Sequence, residues 1–133
     1  MKVILDTNVF ISGIFFSGPP HQILKAWRDK KIQILISPEI LDEYQRVGES
    51  LATKYPGIEI HPFIELLTAR AELISSKNFH VYICEDPDDD KFLACAIASR
   101  TKLIISGDKH LLNVSGYQGI KVTRPRQFID AYF

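Results

Sequence analysis

Apolar residues fall along this chain in two rhythms. Short runs rich in Val and Ile, Lys2 to Leu5, Ile32 to Ile36 and Lys102 to Ile105, have the length and β-branched content of strands, with weaker candidates at Phe79 to Ile83 and Ile120 to Val122. Between them the spacing becomes helical, over Pro20 to Lys30, Pro38 to Val47, His61 to Ile74, Asp89 to Ser99, and from Pro125 to the C-terminus. Ser37-Pro38 sets a capping hydroxyl before a proline at the first helical position, and Arg124-Pro125 opens the last helix in a similar way. Gly48 to Gly57 fits a short helical arm carried by Leu51, Ala52 and Tyr55 and ended by Pro56-Gly57. Strands that alternate with helices predict right-handed crossovers, hence an α/β fold with a mainly parallel central sheet and helices on both faces.

Composition narrows the possibilities. A length of 133 residues suits one domain spanning 1–133, and 46% hydrophobic with 24% charged residues excludes a disordered or collagen-like chain. Sixteen basic residues balance sixteen acidic ones, so no global basic field drives binding to polyanions and any nucleic-acid contact must be local. No segment approaches the roughly 20 apolar residues of a membrane span. A soluble cytoplasmic protein without membrane partners is expected. Cys84 and Cys95 lack CxxC spacing and a His cluster, which points to two buried free thiols and no zinc site.

The chemistry lies in where the acids stand. In an open parallel sheet, ligands bind beyond the carboxyl ends of the strands. Asp6 closes the first strand, Asp108 follows LIISG, and Asp86, Asp88, Asp89 and Asp90 precede or open a helix that is apolar from Phe92 to Ala98. On the helix after the second strand, Ile40, Leu41, Tyr44 and Val47 form the apolar stripe, with Glu43 at its edge, pointing nearest the sheet. Each acid alone has an ordinary alternative: an Asx turn for Asp6, a helix cap for Asp108, favourable N-terminal charge for the Asp86 to Asp90 run, an exposed helix position for Glu43. Their joint placement argues for a site. Carboxylates converging on a partly buried spot repel one another by several kcal/mol, a conflict that a divalent cation resolves. All-oxygen ligands favour Mg2+ or Mn2+ over Zn2+.

Taken in order, ILDTNVFISGIF, ISPEILDEYQRV, EDPDDDKFLACAIAS and LIISGDKHLL resemble the PilT N-terminal (PIN) domain family, over nearly the whole chain. The likeness is greatest to the VapC-like ribonucleases that serve as toxins of prokaryotic toxin-antitoxin systems. It implies a PIN-like three-layer α/β/α sandwich and a Mg2+- or Mn2+-dependent endoribonuclease. Asp6, Glu43, Asp90 and Asp108 match the family's acidic quartet: Asp6 and Asp90 would hold the metal, Asp108 would complete the site directly or through water, and Glu43 would position or deprotonate the attacking water. Asn8 and Ser106 match polar positions that orient carboxylates, and Ser12 also fits the subgroup's pattern. The implied products carry 5′-phosphate and 3′-hydroxyl ends. The implied partners are RNA, a small antitoxin protein and a second copy of the chain. Whether one or two metals act, and whether Asp90 or Asp89 is the third acid, stays open at this point.

For substrate, Lys91, Lys109 and His110 flank the acidic rim, with Arg46, Lys54, Arg124 and Arg126 further off. Tyr55 or Phe16 could stack the bases of single-stranded RNA. Other strand-end aspartate enzymes fit less well. A haloacid dehalogenase-type phosphotransferase wants DxD where this chain has Asn8, and a receiver domain wants an acidic pair and a Lys in a different relation to Asp108. A noncatalytic PIN module that binds or processes RNA is the remaining alternative.

Overall fold

A computed structural model describes all residues from Met1 to Phe133. The Val- and Ile-rich runs become strands β1 (Lys2–Leu5), β2 (Gln33–Ile36) and β4 (Leu103–Ile105), joined at the edges by β3 (Glu72–Leu73) and β5 (Lys121–Thr123). Val3, Ile4, Leu5, Ile34, Leu35, Ile36, Ile104 and Ile105 are all buried without alternation, as strands covered on both faces require. All pairings are parallel, in the order β3-β2-β1-β4-β5. Seven helices cover this sheet: α1 (Thr7–Phe15), α2 (Pro19–Arg28), α3 (Pro38–Ala52), α4 (His61–Arg70), α5 (Asp90–Ser99), α6 (Lys109–Leu112) and α7 (Pro125–Tyr132). The result is a three-layer α/β/α sandwich, as the alternation predicts.

Helix α5 packs against β1, β2 and β4, which explains its unbroken apolar run from Phe92 to Ala96. Helix α1 packs on α2 and α3, and α2 on α7. At their junction Phe10 stacks on Tyr44 with ring centroids 4.4 Å apart and meets Trp27 edge-on at 6.4 Å.

The structure departs from the sequence reading in four places. The hydrophobic pattern assigns no helix before Pro20, yet Thr7–Phe15 is helical, because its largely apolar residues are buried on several sides and tertiary packing outweighs the poor propensity of Val, Ile and Gly. Helix α3 runs through Gly48 to Ala52 without a break; a Cβ at Gly48 would lie 3.1 Å from Ile60 and 3.3 Å from Ile11, so the glycine admits neighbours. The helix predicted to Ile74 stops at Arg70, whose guanidinium donates to the carbonyls of Trp27 and Arg28, and Glu72–Leu73 then pairs with β2. Phe79 to Ile83 forms no strand, since Ile83 and Cys84 donate their N–H groups to a side chain, the carboxylate of Asp90.

Candidate active site

The strand order reverses at β1, whose neighbours are β2 and β4. At such a switch point the crossovers diverge and leave a crevice beyond the strand ends. Strand β1 delivers Asp6 there, with its N–H bonded to Ile105 O at 2.9 Å and its carbonyl taking the first bonds of α1 from Val9 and Phe10. Strand β4 delivers Ser106 and Asp108. The buried Ser106 hydroxyl donates to Asp6 Oδ2 at 2.7 Å and accepts the Asp108 N–H at 2.9 Å, tying the two strand ends together. Asp108 Oδ1 in turn accepts the His110 N–H at 3.1 Å, so this acid caps α6 while facing the crevice. Burial pushes the Asp6 carboxyl above the ordinary range, with Asp108 and Glu43 repelling it further, against the lowering pull of the Ser106 hydroxyl and the Thr7 N–H.

Of the adjacent pair, Asp89 lies under the influence of Asp108 and Asp6, whereas Asp90 is bonded to backbone N–H groups. Burial, then the close approach of the Asp108 carboxyl, then repulsion from Asp6 and Asp86 push Asp89 up to about 7. Its Oδ2 is buried with no hydrogen-bond partner. Asp90 is turned elsewhere: Oδ1 accepts Cys84 N–H at 2.9 Å and Ile83 N–H at 3.4 Å, and the residue lines a separate cavity of about 310 Å³ with Glu39, Ser76 and Val81. The cause is local. Pro87–Asp89 forms a 3-10 turn before α5 begins, so the rotation per residue through this stretch is that of the tighter helix.

Glu43 also differs from expectation, because both its oxygens are engaged. Oε2 accepts the hydroxyl of Thr7, and Oε1 accepts Lys91 Nζ at 2.8 Å. Lys91 further donates to Asp88 O at 2.8 Å and pairs with Asp88 Oδ1 at 3.0 Å. Burial works to lower the Lys91 ammonium, but Glu43 and Asp88 outweigh it and hold its pKa above the usual value; Lys91 in turn holds Asp88 below the carboxylate range. Asn8 is exposed and bonds none of the acids.

Asp108 and Asp6 thus repel Asp89, Asp108 repels Asp6, and Asp89 Oδ2 is buried and unpartnered. A hard divalent cation held by these carboxylates would offset the repulsion that raises Asp6 and Asp89. His110 stands at the rim, with Nδ1 3.7 Å from Asp89 Oδ2 and 3.8 Å from Asp108 Oδ1. Its ring nitrogen and one oxygen each of Asp86 and Asp89 lie within 4.8 Å of one another, a grouping that extends the site to the rim through the same Asp89 carboxylate.

Against known proteins, the sequence profile of the family described as PIN domain matches residues 2–110. The chain belongs to the PIN domain family. This PIN domain is 34% identical, over 99% of its length and 92% of the other's, to an uncharacterized protein of Methanocaldococcus jannaschii. Its fold is similar to that of a chain of VapBC2 from Rickettsia felis, solved bound to a DNA fragment from their promoter, with a TM-score of 0.54, 15% identity, and 93% and 98% of the two chains covered. PIN domains are a nuclease superfamily that typically uses divalent metal.

The sequence alone assigns no role to Thr7 or Asp86, and Lys91, which flanks the acidic rim, is bonded in the structure to Glu43 and Asp88. The signal for Thr7 was its adjacency to Asp6. Cys84 and Cys95 are buried free thiols pushed up to about 12, chiefly by burial. No helix is long and apolar enough to cross a membrane.

Proposed function

We propose that this PIN domain is a Mg2+- or Mn2+-dependent endoribonuclease acting on single-stranded RNA, with Asp6, Asp89 and Asp108 holding the ion. The observation that carries the reading is the buried, unpartnered Asp89 Oδ2 facing Asp108 and Asp6 at the switch point of the sheet. When bound, such an ion offsets charge on the scissile phosphate and eases deprotonation of the attacking water. Ser106 fixes the Asp6 carboxylate and the Asp108 backbone, and Glu43 braces the crevice wall instead of acting as a base, since Thr7 and Lys91 occupy its oxygens. Lys109 and His110, beside Asp108, are placed to meet phosphate at the rim.

The test is cleavage of end-labelled single-stranded RNA with Mg2+ or Mn2+, beside an EDTA control. Metal-dependent fragments with 5′-phosphate and 3′-hydroxyl ends are the expected result. A folded protein that binds RNA but never cuts it would establish the noncatalytic alternative.

We further infer a role as the cytoplasmic toxin of a toxin-antitoxin pair, acting as a homodimer held in check by a small protein. The four sequence motifs and the fold likeness to the VapBC2 chain support this. Growth arrest on expression, relieved by co-expression of a neighbouring small gene, would support the role; mass by light scattering tests the dimer.

A further inference from the structure

The acids of the crevice divide into two sets by what they face. Asp89 is repelled by Asp108 and Asp6 and keeps a buried oxygen without a partner, with Ser106 tying Asp6 to the Asp108 backbone. Glu43 and Asp88 face Lys91: its Nζ lies 2.8 Å from Glu43 Oε1, 3.0 Å from Asp88 Oδ1 and 2.8 Å from Asp88 O. The ammonium donates two hydrogen bonds, to Glu43 Oε1 and Asp88 O, and is ion-paired with Asp88 Oδ1. The Lys91 and Glu43 side chains are only 15% and 12% exposed, so this pair is not a screened surface bridge whose geometry drifts.

The members of the second set are sequence neighbours of the first. Thr7, which holds the other oxygen of Glu43, follows Asp6; Asp88 precedes Asp89, and Lys91 stands two residues after it. The Lys91 ammonium thus sits where a second cation would have to sit to use Glu43 and Asp88 as ligands, and it joins α1, α3 and α5 around the first set.

We propose that Lys91 is a built-in second cation of this centre: the protein binds one divalent ion, at Asp6, Asp89 and Asp108, while Lys91 holds Glu43 and Asp88 and excludes a second ion. The inference rests on the metal-centre reading above. Lys91 is a positioning residue, since its ammonium is held by Glu43 and Asp88.

The test is Mn2+ stoichiometry of the full chain by calorimetry and by electron paramagnetic resonance. Wild type should bind one Mn2+ with the spectrum of an isolated ion, and Lys91→Arg should do the same. Lys91→Gln should take up a second, weaker Mn2+ with the broadened spectrum of a coupled pair. Should Lys91→Gln fold poorly, 15N NMR of the wild-type lysine ammonium groups decides: the Lys91 protons should stay protected from exchange at saturating Mg2+. Two Mn2+ in the wild type, with one lost in Glu43→Gln, would overturn this inference and leave the metal centre standing. A single Mn2+ in Lys91→Gln, or loss of Lys91 protection on adding Mg2+, would also overturn it. No Mn2+ binding by the wild type would overturn the metal centre and this inference together.

Discussion

Ser106 Oγ donates to Asp6 Oδ2 at 2.7 Å across 100 residues of sequence and accepts the Asp108 N–H at 2.9 Å. One buried hydroxyl therefore sets both strand-end acids. Ser106→Ala should fold but weaken Mn2+ binding by roughly 10- to 100-fold, the usual loss when a group orienting a ligand is removed. Calorimetric titration checks this, and an unchanged affinity would show that the Asp6 carboxylate is fixed by other contacts.

Asp89 and Asp90 are adjacent and do different work. Asp89→Asn should abolish metal binding and, above about pH 7, raise the melting temperature of the metal-free protein, because it removes a charge that Asp108 and Asp6 oppose. Asp90→Ala should keep metal binding but cost about 1–3 kcal/mol, since the N–H groups of Ile83 and Cys84 lose their acceptor. Thermal melts with and without Mn2+ separate the two, and the reverse pattern would return the third-acid role to Asp90.

The raised Asp89 makes stability depend on pH with a definite sign. A carboxyl held at about 7 in the folded chain keeps a proton that the unfolded chain has released above roughly pH 4, so its stabilising contribution is lost as pH rises through that interval. In EDTA the melting temperature should fall between about pH 4 and pH 7, while the rise produced by Mg2+ should grow over the same range. Asp89→Asn should flatten the EDTA profile. Equal Mg2+ effects at both ends of the range would count against a cation on this carboxylate.

Much of this arrangement is legible in the sequence. Asp6 and Asp108 follow from the rule that strand ends carry the site, because their strands are short, apolar and buried on both faces. The choice between Asp89 and Asp90 is not legible, because it needs the side-chain direction through Pro87–Asp89, where a 3-10 turn replaces the α-helical rotation. The partners of Glu43 were hidden for another reason: Thr7 and Lys91 lie 36 and 48 residues away, and only packing of α1 and α5 around α3 brings them in. Phe79 to Ile83 carries strand-like residues, but its neighbouring N–H groups go to Asp90, a competition no local pattern records.

Packing of α1 on α2 gives a prediction independent of the chemistry. A Cβ at Gly13 would lie 2.7 Å from both Leu24 Cδ1 and the carbonyl oxygen of Pro20, and the latter is backbone. Gly13→Ala should destabilise by about 1–3 kcal/mol, read from urea denaturation, while Mn2+ still binds with the wild-type stoichiometry. A neutral effect would mean the two helices separate easily.

The central claim, that Asp6, Asp89 and Asp108 hold the ion, is tested most directly by diffraction at the Mn2+ absorption edge from crystals grown with Mn2+. The expected result is an anomalous peak about 2.0–2.3 Å from oxygens of these three residues, with none on Asp90. A peak coordinated by Asp90, or by Glu43 in place of Asp89, would contradict it.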